Sequence, residues 1–120
     1  FTDKFYRGVH RILKSDGIMV TQSESPRFNT EVFREIFDCY RGIYGQDKVS
    51  CYLAYIPTYP SGMWSFSFSV KGDQHPLRNF DAAKAEAFAT QHNLKYYNGD
   101  IHQAAFALPG FVKTLLHSPA

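Results

Sequence analysis

The chain has 120 residues, room for one compact unit, and is 44% hydrophobic and 17% aromatic, with 11 Phe and 8 Tyr, enough apolar side chain for a core. Its net charge is only +2, and its Lys and Arg (among them Lys4, Arg11, Lys14, Arg34, Arg41, Lys48 and Lys71) are scattered, which argues against a nucleic-acid-binding surface because that needs a basic stripe. Two cysteines, Cys39 and Cys51, are too few for a disulfide framework and lack metal-ligand spacing, so both are expected as reduced thiols in or near the core. No apolar run approaches the roughly 20 residues that span a bilayer, and no signal peptide is visible. A cytoplasmic setting is expected, with neither membrane nor nucleic acid as a partner.

In chain order, Thr2 to Leu13 reads as an amphipathic helix, with Phe5, Tyr6, Val9, Ile12 and Leu13 at helical spacing. The chain opens at Phe1 without a Met and enters this helix at once, so N-terminal sequence is expected to be missing. Gly17 closes a turn. Ile18 to Gln22 is a short apolar run that reads as a buried strand, and Ser23-Glu24-Ser25-Pro26 breaks it. Asn29 or Thr30 then caps a helix with Val32, Phe33, Ile36 and Phe37 on one face, and Gly42 and Gly45 mark its exit. Val49 to Ile56 is a strand. Trp64 to Val70 is another, with Trp64, Phe66, Phe68 and Val70 alternating against Ser65, Ser67 and Ser69. The aromatic side is expected to be core. Lys71 to Asn79 is a polar loop, Asp81 to His92 an Ala-rich helix, and Tyr96 to Asp100 a turn. Ile101 to Leu108 and Pro109 to Leu116 are two short helices.

This alternation of helices and strands predicts half of a three-layer α/β sheet. The last two strands are too close for a crossover helix and must be antiparallel. An open sheet ending in an antiparallel pair resembles the methyltransferase-type Rossmann-like fold.

Ligands of open α/β sheets sit at the carboxyl ends of strands. The first strand ends at Gln22-Ser23-Glu24 and the second at Pro57-Thr58-Tyr59. If both run the same way, Gln22, Glu24 and Tyr59 converge, offering an amide, a carboxylate and a phenol as acceptors for an amine or cation. Pro57 and Pro60 bracket Tyr59, fixing two φ angles and removing two N–H donors, so the loop is stiff. The plainer alternative is that Glu24 caps the next helix and Tyr59 packs its loop. His102 reads as a histidine that caps or packs a helix start. It has no second ligand four residues on, and no metal site is expected. There is no Gly-rich phosphate loop.

Three segments resemble the spermidine synthases (polyamine aminopropyltransferases): Gln22-Ser23-Glu24-Ser25-Pro26, Tyr55-Ile56-Pro57-Thr58-Tyr59-Pro60-Ser61-Gly62, and Lys95-Tyr96-Tyr97-Asn98-Gly99-Asp100-Ile101-His102 with Ala104-Ala105-Phe106-Ala107-Leu108-Pro109. They stand in the family's order with compatible spacing. The resemblance covers essentially the whole chain and implies that residues 1–120 are the C-terminal part of the family's catalytic domain. The fold it implies is the C-terminal half of a Rossmann-like three-layer α/β/α sheet ending in an antiparallel strand pair. The donor-binding glycine motif, the loop with the catalytic aspartate and the small N-terminal β domain would all lie before Phe1.

The activity implied is transfer of an aminopropyl group from decarboxylated S-adenosylmethionine, a co-substrate, to putrescine, giving spermidine and methylthioadenosine. Tyr59, Gln22 and Glu24 match family positions around the diamine, and the chain itself holds no catalytic base. No cofactor or metal is implied. A homodimer or homotetramer is implied at full length. By itself the 120-residue piece is expected to be inactive. A spermine or thermospermine synthase, or a non-catalytic polyamine-binding homologue, is the competing expectation.

Overall fold

The computed structural model describes residues 1–117. Helix α1 (Asp3–Ile12) starts at Thr2, whose hydroxyl accepts from the Phe5 N–H at 3.3 Å. After it come β1 (Ile18–Gln22), α2 (Thr30–Tyr44), β2 (Val49–Tyr55), β3 (Met63–Val70), α3 (Ala82–Gln91), α4 (Gly99–Ala105) and α5 (Gly110–His117). The strands form one sheet in the order β1-β3-β2, and both neighbours of β3 are antiparallel to it. Strands β1 and β2 therefore run the same way and end at the same side of the sheet. That is the condition under which Gln22 and Tyr59 could converge.

One face of the sheet carries α2, with α1 and α5 packed against α2. The other face carries α4, with α3 packed on it. The layers are thus α/β/α, as the element order predicts. The core lies on the α2 side, where Met19, Val49 and Cys51 of the sheet meet Phe33, Phe37, Tyr40 and Tyr44 of α2 and Val112 and Leu116 of α5. The buried stripe of α2 runs 33, 37, 40, 44, a helical spacing. Val32, expected on it, is 45% exposed and lies outside it.

The alternation of β3 is real, and Val70 is buried as expected, but the burial of the rest of the strand is the reverse of the expectation. Ser65, Ser67 and Ser69 are fully buried, whereas Trp64, Phe66 and Phe68 are only half-buried. The physical reason is volume. The α2 face already brings two phenylalanines and two tyrosines to the sheet, so small side chains fit beneath them. The hydroxyls there are mostly paired: Ser67 Oγ lies 2.7 Å from Thr21 Oγ1, which donates to Tyr40 Oη at 3.0 Å. On the opposite face, the rings of Tyr52 and Phe66 stack at 5.1 Å, and Phe106 next to α4 approaches Tyr52 at 5.3 Å.

Strand β1 also departs from its reading as buried. Only Met19 is buried, and Ile18 and Val20 are 43% and 48% exposed, because among the described residues β3 is the one strand paired with β1 and α4 packs on β2. Gly42 lies inside α2 rather than at its exit, and Gly45 at φ 112° is the residue that ends the helix. Helix α4 begins two residues earlier than expected, inside the segment read as a turn. The Asn98 side chain accepts from the Ile101 N–H at 2.8 Å and so starts the helix at Gly99.

Candidate functional site

The loop after β2 is built from two consecutive turns. The Tyr59 N–H donates to Ile56 O at 3.0 Å, and the Gly62 N–H donates to Tyr59 O at 2.9 Å. Gly62 takes φ 66°, which a glycine adopts without a steric penalty. Ser61 Oγ closes the exit on Met63 O at 2.6 Å. With Pro57 and Pro60 at its shoulders, this frame leaves Tyr59 few alternatives. Its ring lies against Trp64 at 4.3 Å between centroids. Trp64, read from the sequence as core, is therefore the half-buried backing of the Tyr59 ring. Its indole Nε1 is buried without a hydrogen-bond partner.

Across the same end of the sheet, the Tyr59 hydroxyl donates to Gln22 Oε1 at 3.2 Å. Gln22 pairs with Phe66 of β3, and Trp64 sits two residues before Phe66, so all three share the aromatic face. Two expected site residues, one from each strand end, are thus in direct contact. Their oxygens keep further lone pairs: the amide carbonyl has two, and the phenol oxygen accepts as well as donates.

Glu24 is at the same strand end but is not joined to that pair. Its carboxylate Oε2 accepts from Asn29 Nδ2 at 2.7 Å. Nor does it cap α2. The turn before that helix is closed by Ser25, whose Oγ accepts from the Phe28 N–H at 3.0 Å and the Arg27 N–H at 3.3 Å. The backbone of Glu24 is left-handed, at φ 75°. Its carbonyl accepts from both the N–H (3.1 Å) and the hydroxyl (2.6 Å) of Ser65. Asn29 and Ser65 escaped sequence reasoning. A serine in a strand and an asparagine before a helix each have an ordinary local explanation.

The remaining chemistry-bearing groups have structural partners. His102 Nε2 donates to Pro76 O at 2.8 Å, its Nδ1 lies 3.0 Å from the Tyr97 hydroxyl, and its ring stacks on Phe80 at 4.0 Å. It ties α4 to the loop before α3, a packing role as read from the sequence. Both cysteines are free thiols. Burial pushes Cys51 up to about 12, with Arg41 opposing weakly, and burial together with the neighbouring Asp3 raises Cys39. Among the described residues no group of three or more His, Cys, Asp or Glu could hold a metal ion, and no helix is long and apolar enough to cross a membrane.

Comparison with known proteins adds a family to this geometry. The profile of the spermine/spermidine synthase domain matches residues 1–81. The polyamine aminopropyltransferase of Moorella thermoacetica is 43% identical over 119 residues, which is 99% of this chain and 39% of that protein. That of Thermotoga neapolitana is 40% identical over 113 residues, 94% of this chain and 36% of that protein. Among solved structures, spermidine synthase from Thermotoga maritima superposes with a TM-score of 0.86 at 37% identity, covering 97% of this chain and 38% of that one. A spermidine synthase in complex with the transition-state analogue AdoDATO gives the same TM-score and identity, over 97% of this chain and 39% of that one. At this identity and overlap the fold is that of these synthases, methyltransferase-like α/β. The chain spans less than half the length of the relatives it matches.

Proposed function

Because the chain belongs to the spermine/spermidine synthase domain family, we propose that it is the amine-acceptor side of a polyamine aminopropyltransferase, with putrescine as acceptor and decarboxylated S-adenosylmethionine as donor. In this reading, residues 1–120 are the C-terminal part of the catalytic domain. The observation that carries it is the bond between Tyr59 and Gln22, which places two uncharged oxygen acceptors together at the carboxyl ends of β1 and β2.

The chemistry explains why such acceptors suit the reaction. The donor's sulfonium is a good leaving group, so the difficulty lies with the amine. An alkylamine resembles lysine, with a pKa of about 10.4, and is protonated at neutral pH. Its lone pair must be freed and aimed at the carbon beside sulfur. A carboxylate attracts the cation but also favours its protonated form. Neutral acceptors hold the amine's N–H groups with a much smaller bias of that kind. In this scheme Gln22 orients the amine through its carbonyl, Tyr59 bonds it and walls the pocket against Trp64, and Glu24 supplies negative charge for the ammonium. Glu24 is thus committed to the ammonium, and the base for the attacking nitrogen is the aspartate that the family resemblance implies, which is not among these residues.

The deciding experiment is a competition assay on the full-length gene product, offering putrescine, cadaverine, agmatine and spermidine together with the aminopropyl donor. Putrescine is expected to be converted first, to spermidine. Preferential conversion of spermidine would reassign the enzyme to the spermine-forming branch. No aminopropylated product from any amine would leave a non-catalytic homologue.

A further inference from the structure

Asn29 occupies the position before α2 where asparagine is ordinarily favoured because its side-chain oxygen accepts from the helix's own N–H groups. Here it makes no such cap bond. Its amide is turned the other way, and Nδ2 donates to Glu24 Oε2 at 2.7 Å. The hydroxyl of Ser25 closes the turn before the helix, at Arg27 and Phe28, and does not take over the cap. A residue suited to capping has been diverted to a carboxylate.

The carboxylate's backbone is held as firmly. A left-handed conformation is uncommon outside glycine, and Glu24 adopts it at φ 75°. Ser65, fully buried on β3, donates twice to the Glu24 carbonyl, and the Ser23 N–H returns to Ser65 O at 2.8 Å. The turn after β1 is thus fastened to β3, and the side chain leaving it is fastened by Asn29. The partner's chemistry matters. A lysine or arginine would orient the carboxylate and cancel its charge, whereas a neutral amide orients it and leaves the charge for a ligand.

We propose that Asn29 is a positioning residue, which holds the Glu24 carboxylate in one orientation with its charge uncancelled, ready for the cationic amine of the acceptor. The inference rests on the reading of Glu24 as part of the acceptor pocket.

The test uses the full-length gene product with putrescine as the varied substrate. Asn29→Ala is expected to raise the putrescine KM about five- to tenfold, with kcat and the donor KM within about twofold of the parent. Asn29→Asp keeps the ability to cap a helix but replaces the donor with a second carboxylate. It is expected to raise KM further, with no loss of melting temperature. In a Glu24→Gln background, Asn29→Ala should add little, since the two residues act through one bond. If Glu24→Gln leaves the putrescine KM unchanged, the pocket reading of Glu24 fails. If Glu24→Gln raises KM while Asn29→Ala and Asn29→Asp do not, the positioning role alone is overturned. A fall in kcat and melting temperature together in Asn29→Ala would also overturn it, marking Asn29 as part of the framework.

Discussion

The Tyr59 hydroxyl donates to Gln22 Oε1 at 3.2 Å, joining two residues 37 positions apart in the chain. Neither residue reaches the other through its own element. Gln22 is the last residue of β1, and Tyr59 sits in the loop after β2, with β3 between the two strands. The bond exists because β3 is antiparallel to both neighbours and so brings their ends to one side.

Removing the phenol oxygen tests that bond directly. Tyr59→Phe keeps the ring against Trp64 and deletes only the hydroxyl. In the full-length gene product we expect kcat/KM for putrescine to fall about tenfold, with the donor's KM unchanged. Unaltered kinetics on the diamine would remove Tyr59 from the site.

The purified 120-residue chain by itself is expected to show no aminopropyl transfer. In the proposed reading its strand ends supply acceptors and negative charge, while the donor-binding segment and the catalytic aspartate implied by the resemblance are not among these residues. Turnover of putrescine above the uncatalysed background, measured by formation of methylthioadenosine, would refute this.

The serine face of β3 predicts a contrast between two neighbouring substitutions. Ser67 is fully buried and bonded to Thr21, so Ser67→Ala should cost about 1–2 kcal/mol in denaturant unfolding. Ser69 is equally buried, but its hydroxyl has no hydrogen-bond partner. Ser69→Ala should therefore be neutral or stabilising, since the folded state no longer desolvates an unpaired hydroxyl. Equal losses at both positions would contradict the hydrogen-bond assignment.

Alkaline pH should destabilise the fold. Burial raises Cys51 from 9.0 to about 12, and burial raises Tyr40 from 10.0 as well. In each case the protonated form is favoured when folded, so the native state binds more protons than the unfolded one above pH 9. Stability from these groups is complete below about pH 9 and declines as pH rises toward 12. A Cys51→Ala variant should lose part of the steepness of that decline. At pH 8, a thiol reagent should modify the partly exposed Cys39 slowly and Cys51 only on unfolding.

Much of the architecture is written locally. Thr2, Asp81 and Asn98 each accept from a helix N–H three residues on, and Gly45 and Gly62 supply the positive φ that their turns need. Such signals act within a few residues, so the element order and the antiparallel last pair were legible from the chain. The stiff loop around Tyr59 was legible for the same reason, since Pro57, Pro60 and Gly62 restrict the backbone wherever it sits. The family resemblance, too, was carried by contiguous segments.

What only the tertiary structure decided was which face, which edge and which partner. Alternation along β3 says that two faces differ. It does not say that the serines lie inside, because that depends on the rings α2 brings to the other side. The apolar run Ile18–Gln22 says strand, and only the packing of α4 on β2 leaves Ile18 and Val20 exposed among the described residues. Tyr59 and Gln22 were both marked by sequence, but their contact required β1 and β2 to end together. Asn29 and Ser65 were legible only in a common local use, as a helix cap and as one serine of an alternating strand. Their roles arise from a left-handed Glu24 whose carbonyl faces β3 and whose carboxylate meets the start of α2. Local propensity acts over a few residues, whereas these contacts are set by packing across the sheet.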